Sequence, residues 1–208
     1  MKLYPSLAHL ASGPAAPRAR AGVELARERA QQALELCAER LGLKALALDF
    51  PRDAERAPLP MQMDGKSWHW STTHTEGLAA ALLGPLPLGI DAEWLQRPRQ
   101  AAVGEYFSKH ELALLQLPAE RAALALWSAK EAVLKLSGIG MAGMGRTTLE
   151  SCDPGGRMRL RLDDRLHLVR QSWLPEHVLS CAISLSPSIQ DFEIELRFVE
   201  PAVEHPIR

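Results

Sequence analysis

Gly89-Ile90-Asp91-Ala92-Glu93, followed about forty residues later by Trp127-Ser128-Ala129-Lys130-Glu131-Ala132-Val133-Leu134-Lys135, decides the reading of this chain. The first segment reads as a strand whose alternation throws Asp91 and Glu93 onto one face. The second reads as a helix in which Trp127, Glu131 and Lys135, spaced i, i+4, i+8, share a side. Three carboxylates and a lysine can therefore meet. Hard oxygen ligands beside a cation are what a divalent ion bridging phosphates requires, because Mg²⁺ takes one or two carboxylates and completes its shell with water and substrate phosphate. The pattern points to phosphoryl chemistry.

Outward from this pair, Ser67 to Thr73, Leu78 to Leu83 and Leu88 to Glu93 read as strands, the last two joined by Gly84-Pro85-Leu86-Pro87 as a tight turn. Upstream, Arg20 to Leu41 has helical spacing and Gly42 is a stop signal. Ser12 to Arg20 is a Gly/Pro/Ala-rich lead-in, Leu43 to Phe50 suits a strand, and Pro51, Pro58 and Pro60 mark a loop. The strand expected before the first helix is poorly represented in Met1 to Ala19, which predicts a trimmed first lobe.

Downstream, Pro98 to Phe107 reads as a short helix. Ser108 is placed to cap Lys109 to Leu117 with Glu111 at the third position, and Pro118 opens a helix from Ala119 to Gly138. A Gly/Met-rich loop, Gly140 to Gly145, leads to strands at Thr147 to Glu150, Arg157 to Leu162, Leu166 to Trp173 and Val178 to Leu185, with a turn at Asp163-Asp164. The order is helix then strands, then helices then strands, an α+β pattern without a fixed-period repeat.

Composition bounds the function. The chain has 208 residues, 47% apolar and 24% charged, enough for one large domain or two small lobes. A formal net charge of −1 lacks the basic excess that supplies non-specific nucleic-acid affinity. Cys37, Cys152 and Cys181 are odd in number and form no metal-ligand pattern, so they read as reduced thiols. Pro5, His9 and Gly13-Pro14 interrupt any leader segment, and nowhere do eighteen apolar residues run together. The expectation is a cytoplasmic protein with no membrane partner.

The order G-I-D-x-E, then F-S-x-x-E at Phe107 to Glu111, then W-S-x-K-E-A-x-x-K and a closing Gly138-Ile139-Gly140, resembles the signature of the 4′-phosphopantetheinyl transferase family of the surfactin-synthetase type. Thr73-His74-Thr75 stands where that family has Ser-His-Ser. The resemblance runs from about Gly65 to Gly140 and implies two similar lobes with pseudo-twofold symmetry, here residues 1–87 and 88–208, with coenzyme A in the cleft between them. It implies a Mg²⁺-dependent transfer of the 4′-phosphopantetheine arm of coenzyme A to a serine of an acyl or peptidyl carrier protein, releasing 3′,5′-ADP. A monomer could build the whole cleft.

By position, the resemblance makes Asp91, Glu93 and Glu131 metal ligands, and Glu131 also the acceptor of the serine proton. Lys135 would contact the diphosphate, and His74 with Thr73 the 3′-phosphate. Lys66, in Asp64-Gly65-Lys66-Ser67, resembles a family lysine that reaches a phosphate, although Ser replaces the family's Pro and the usual Asn before the Ser-His segment is absent. Taken alone, Glu131 with Lys135 is an ordinary helix-surface pair and Trp127 is ordinary packing. Glu111 matches an acidic residue at the edge of the family's site, but capping also explains it. Lys130 points to solvent or to the carrier; Lys109 and arginines are further candidates for the carrier. Arg18, Arg20, Arg27 and Arg29 are open candidates for the adenine-side phosphate. Two rival readings remain: a metal-dependent phosphoesterase, and a coenzyme A-binding protein without transfer activity.

Overall fold

A computed structural model of the chain describes residues 1–10, 20–43, 50–54, 57–63, 65–97 and 103–199, with the side chains of the first helix described from Val23 onward. The expected lead-in after Ser12, most of the expected strand at Leu43 to Phe50, and the start of the expected helix at Pro98 lie outside the described residues. Two strands stand where a trimmed start was expected: β1 (Lys2–Leu3) and β2 (Ser6–His9). The short β2 escapes a periodicity reading because it is covered on both faces, with Ser6, Leu7 and Ala8 all buried, so it shows no polar alternation.

Helix α1 (Arg20–Arg40) ends at Gly42, whose φ of 75° closes the helix in the left-handed region. Its stripe of Ala33, Leu34, Cys37 and Ala38 packs on Trp70, Ala81 and Leu83. Strands β3 (Met61–Met63), β4 (Lys66–Thr75) and β5 (Leu78–Gly84) join β2 in a first sheet of order β2-β5-β4-β3, flanked outside β2 by a late strand at Arg197–Phe198. Strand β6 (Leu88–Trp94) does not fold back on β5 as a hairpin. The connection Gly84-Pro85-Leu86-Pro87 instead carries the chain into a second, five-stranded sheet, of which β6 is an edge strand.

Helix α2 (Lys109–Leu114) starts in a complete capping box between Ser108 and Glu111 and stops before the expected Leu117, with Gln116 at a φ of 54° just beyond it. Helix α3 (Ala119–Ser137) ends at left-handed Gly138. The expected loop at Gly140 to Gly145 is a 3₁₀ helix, Gly140–Arg146. Strands β7 (Thr147–Cys152), β8 (Arg157–Leu162), β9 (Arg165–Trp173) and β10 (His177–Ser184) form an antiparallel meander, and β10 pairs with β6. Strands β11 (Glu193–Ile194) and β12 (Arg197–Phe198) then return to pair in parallel with β1 and β2.

The result is an α+β stack of helix, sheet, sheet and helix. Leu78, Ala80 and Leu82 of β5 meet Leu88 and Ile90 of β6 and Leu179, Cys181 and Ile183 of β10 between the sheets. Ala182 on the opposite face of β10 joins Ala125, Ala129 and Val133 of α3. Both sheets are therefore apolar on two sides, which accounts for the unbroken Leu78 to Leu83 run. The outer half of β4, past its three-residue pairing with β3, lies opposite β6, the edge strand of the second sheet.

Candidate functional site

The two sheets are stitched at these edges. The Ile90 N–H donates to Ser71 Oγ at 3.2 Å, and the Thr73 hydroxyl donates to Asp91 Oδ1 at 3.1 Å. Alternation along β6 sends Leu88, Ile90 and Ala92 into the inter-sheet core and turns Gly89, Asp91 and Glu93 toward α3. Gly89 is needed for space: a Cβ there would stand 1.9 Å from the Ala132 carbonyl oxygen. The close contact brings α3 onto the carboxylate strand. Ser128 Oγ donates to the Asp91 carbonyl at 3.2 Å, and Lys135 Nζ donates to Ile90 O at 3.1 Å and to Asp91 Oδ1 at 2.8 Å.

Asp91, Glu93, Glu131 and Lys135 thus line one cleft of about 790 Å³, together with Thr73 and His74. Asp91 Oδ2 is buried and has no hydrogen-bond partner among the described residues. Glu93 is paired with Arg97, Oε2 to Nη1 at 2.9 Å. Burial first, and then the Asp91 charge, push the Glu93 carboxyl up to about 7 and raise Glu131 above the usual carboxylate range. Crowded carboxylates held up in this way have an unmet demand for positive charge.

The donors suit Mg²⁺ in kind, being hard oxygens with one buried oxygen unpartnered. Among the described residues, however, no three His, Cys, Asp or Glu groups converge closely enough to form a ready-made metal cage. Asp91 is shared with Lys135 and Glu93 with Arg97, so an ion would complete its coordination with water and phosphate.

His74 opens into the cleft. Partial burial, then the charges of Lys135 and Arg27, lower its pKa, while Asp91 opposes them. Such a ring lies in a field suited to an anion. Arg27 of α1 lines the same cleft, whereas Arg29 bonds Gln32 along its own helix. Arg18 and the Arg20 side chain lie outside the described residues. Arg52 also lines the cleft, its guanidinium 4.4 Å from the Trp70 ring centroid. The prolines flanking Arg52 conceal it in the sequence, and Arg97 sits in a similar turn context.

Four residues stand elsewhere. Lys66, at the opposite end of β4, is roughly 23 Å along the strand from Thr73 and does not line the cleft. Lys130 is neither in solvent nor poised for a partner: its ammonium is buried against Glu111 Oε1 at 2.7 Å and lies 4.9 Å from the Phe107 ring centroid. Glu111 also caps α2 and accepts the Leu149 N–H at 3.1 Å, so its surroundings are structural. Trp127 packs edge-on against Tyr106 and Phe107.

The model of the 4′-phosphopantetheinyl transferase superfamily matches residues 87–182, from the start of β6 through most of β10. The chain is also 31% identical over 150 residues to the 4′-phosphopantetheinyl transferase psf-1 of Bacillus pumilus. This chain belongs to the 4′-phosphopantetheinyl transferase superfamily. The alignment with the Bacillus pumilus protein takes in 68% of this chain and 58% of that relative's length, so the chain spans less than two thirds of it. In this superfamily member, the matched segment carries Asp91, Glu93, Glu131 and Lys135, while Thr73 and His74 come from the preceding sheet. Among the described residues, no helix is long and apolar enough to cross a membrane.

Proposed function

We propose that this protein transfers 4′-phosphopantetheine from coenzyme A to a serine hydroxyl of an acyl or peptidyl carrier protein, releasing 3′,5′-ADP. The carrying observation is the convergence of Asp91, with its buried unpartnered Oδ2, on Glu131 and Lys135 in a cleft walled by both sheets. In this reading residues 1–87 and 88–208 are the two lobes, and coenzyme A lies between them. The protein acts as a monomer in the cytoplasm, without nucleic acid or membrane as partner.

Asp91, Glu93 and Glu131 would hold Mg²⁺, which when bound supplies charge neutralisation at the diphosphate. Lys135, fixed by its bonds to Ile90 O and Asp91 Oδ1, retains a third N–H for a phosphate oxygen. His74 and Arg27 take the phosphate on the α1 side of the cleft. Thr73 donates to Asp91 and so fixes the aspartate across the seam. As the serine oxygen bonds to phosphorus, the bond to the 3′,5′-ADP oxygen breaks and the serine proton passes to Glu131. Exposed Lys109 is placed to meet an acidic carrier, a role that buried Lys130 does not share.

The test is intact-mass analysis of several apo carriers incubated with the protein, coenzyme A and Mg²⁺. A phosphopantetheine mass increase on at least one carrier supports the reading. No increase on any carrier refutes it, and 3′,5′-ADP release without a carrier would make the protein a phosphoesterase.

A further inference from the structure

Two of the cations that line the cleft, Lys135 and Arg97, are bonded to its carboxylates, and they are held very differently. Lys135 is tied twice, to the Ile90 carbonyl and to Asp91 Oδ1. Arg97 holds Glu93 through a single hydrogen bond of 2.9 Å, its guanidinium carbon 5.7 Å from the Trp127 ring centroid. Its side chain is 40% exposed while that of Glu93 is 11% exposed, so the arginine reaches in from the cleft mouth and can leave toward solvent.

Carboxylate availability follows the same division. Asp91 keeps Oδ2 unpartnered, and Glu131 has no hydrogen bond to its carboxylate among the described residues. Glu93 is the one whose oxygen is already occupied by a cation at the mouth, and the three do not gather into a ready-made cage.

We propose that Arg97 is an internal counter-cation that occupies Glu93 in the metal-free protein and competes with the divalent ion for it. Loading the site detaches the guanidinium from Glu93 and from its position over Trp127. Arg97 is a positioning residue here: it acts on the metal through Glu93. The inference rests on the magnesium reading above.

The experiment measures Mn²⁺ binding directly, by the loss of free-ion spin resonance, in the natural protein and in Arg97→Gln, Arg97→Lys, Glu93→Gln and the Glu93→Gln/Arg97→Gln pair. Releasing Glu93 from this ion pair tightens binding roughly fivefold in Arg97→Gln, with Arg97→Lys closer to the natural protein. The double variant binds no more tightly than Glu93→Gln, because the competition runs through Glu93. A second readout is the emission of Trp127, assigned by Trp127→Phe: Mg²⁺ shifts it in the natural protein but not in Arg97→Gln. Unchanged or weaker Mn²⁺ binding in Arg97→Gln, with binding intact in the natural protein, overturns this inference alone. Failure of the natural protein to bind Mn²⁺ at all overturns the magnesium reading and this inference with it.

Discussion

Replacing Gly89 by alanine tests whether the approach of α3 to β6 builds the site. The backbone at Gly89 is not in the left-handed region, so alanine has no conformational objection to the position. The obstacle is space: the new Cβ would meet the Ala132 carbonyl oxygen at 1.9 Å and the Leu136 nitrogen at 2.8 Å. Ordinary carbon–oxygen contacts lie near 3.3 Å, so α3 must retreat by about 1.4 Å, and backbone cannot rotate aside as a side-chain tip can. Overpacking of this kind costs about 3 kcal/mol. Glu131 and Lys135 ride on the displaced helix, and a misplacement of this size lowers turnover about a hundredfold. Urea unfolding reads the stability, and carrier modification under saturating coenzyme A and Mg²⁺ reads the rate. Gly145, with nothing within 4 Å of an added Cβ, is the control site. A Gly89→Ala protein as stable and as active as Gly145→Ala would refute the argument.

Further outcomes follow from the same geometry. Glu131→Gln does not weaken the fold against urea, because burial and Asp91 already disfavour its charge, yet it lowers the transfer rate by at least about a hundredfold if this group takes the serine proton; a near-normal rate would contradict that role. Lys130→Ala strands the carboxylate of Glu111. Burial opposes ionisation of Glu111, but Lys130 and the Leu149 and Ser108 N–H groups outweigh it and hold its pKa low. Breaking the pair costs about 3 kcal/mol near neutral pH, and part of the loss is recovered in Lys130→Ala/Glu111→Ala, as double-mutant unfolding will show. Two groups contribute opposed slopes to stability against pH. Buried His167, pushed down to about 4 by burial, makes the fold more stable as pH rises from 4 toward 6.5, because the unfolded chain binds a proton that the folded one refuses. Glu93, held at about 7, acts the other way between pH 4.5 and 7. Unfolding titrations should therefore find His167→Leu losing stability toward neutrality relative to the natural protein, and Glu93→Gln gaining it.

Much of the site was legible because its residues obey local periodicities. Asp91 and Glu93 share a strand face, and Glu131 and Lys135 share a helix face. The glycine before them reports the close crossing that joins the two. Helix α3 announced both ends through Pro118 and Gly138. What escaped was set by tertiary context. Strand β2 is too short and too evenly buried to alternate, and β11 and β12 are two-residue pairings with no pattern of their own. Lys66 resembles a phosphate-reaching lysine locally, but it stands eight residues along the same strand from His74. Lys130 shows that adjacency to Glu131 says little about direction, since consecutive helix residues diverge by about 100° and this one turns inward to Glu111. Arg97 and Arg52 matter through ion pairing and ring stacking that no spacing rule encodes.

The parallel pairing of β12 with β2 has a consequence for how the polypeptide is made. Its first sheet cannot gain its outermost ladder until nearly two hundred residues have been synthesised, because Arg197 and Phe198 supply the partners of Ser6 and Leu7. A nascent chain leaving the ribosome must carry an unsealed edge beside β2 until Arg197 and Phe198 have emerged, and only then acquires that row of backbone bonds.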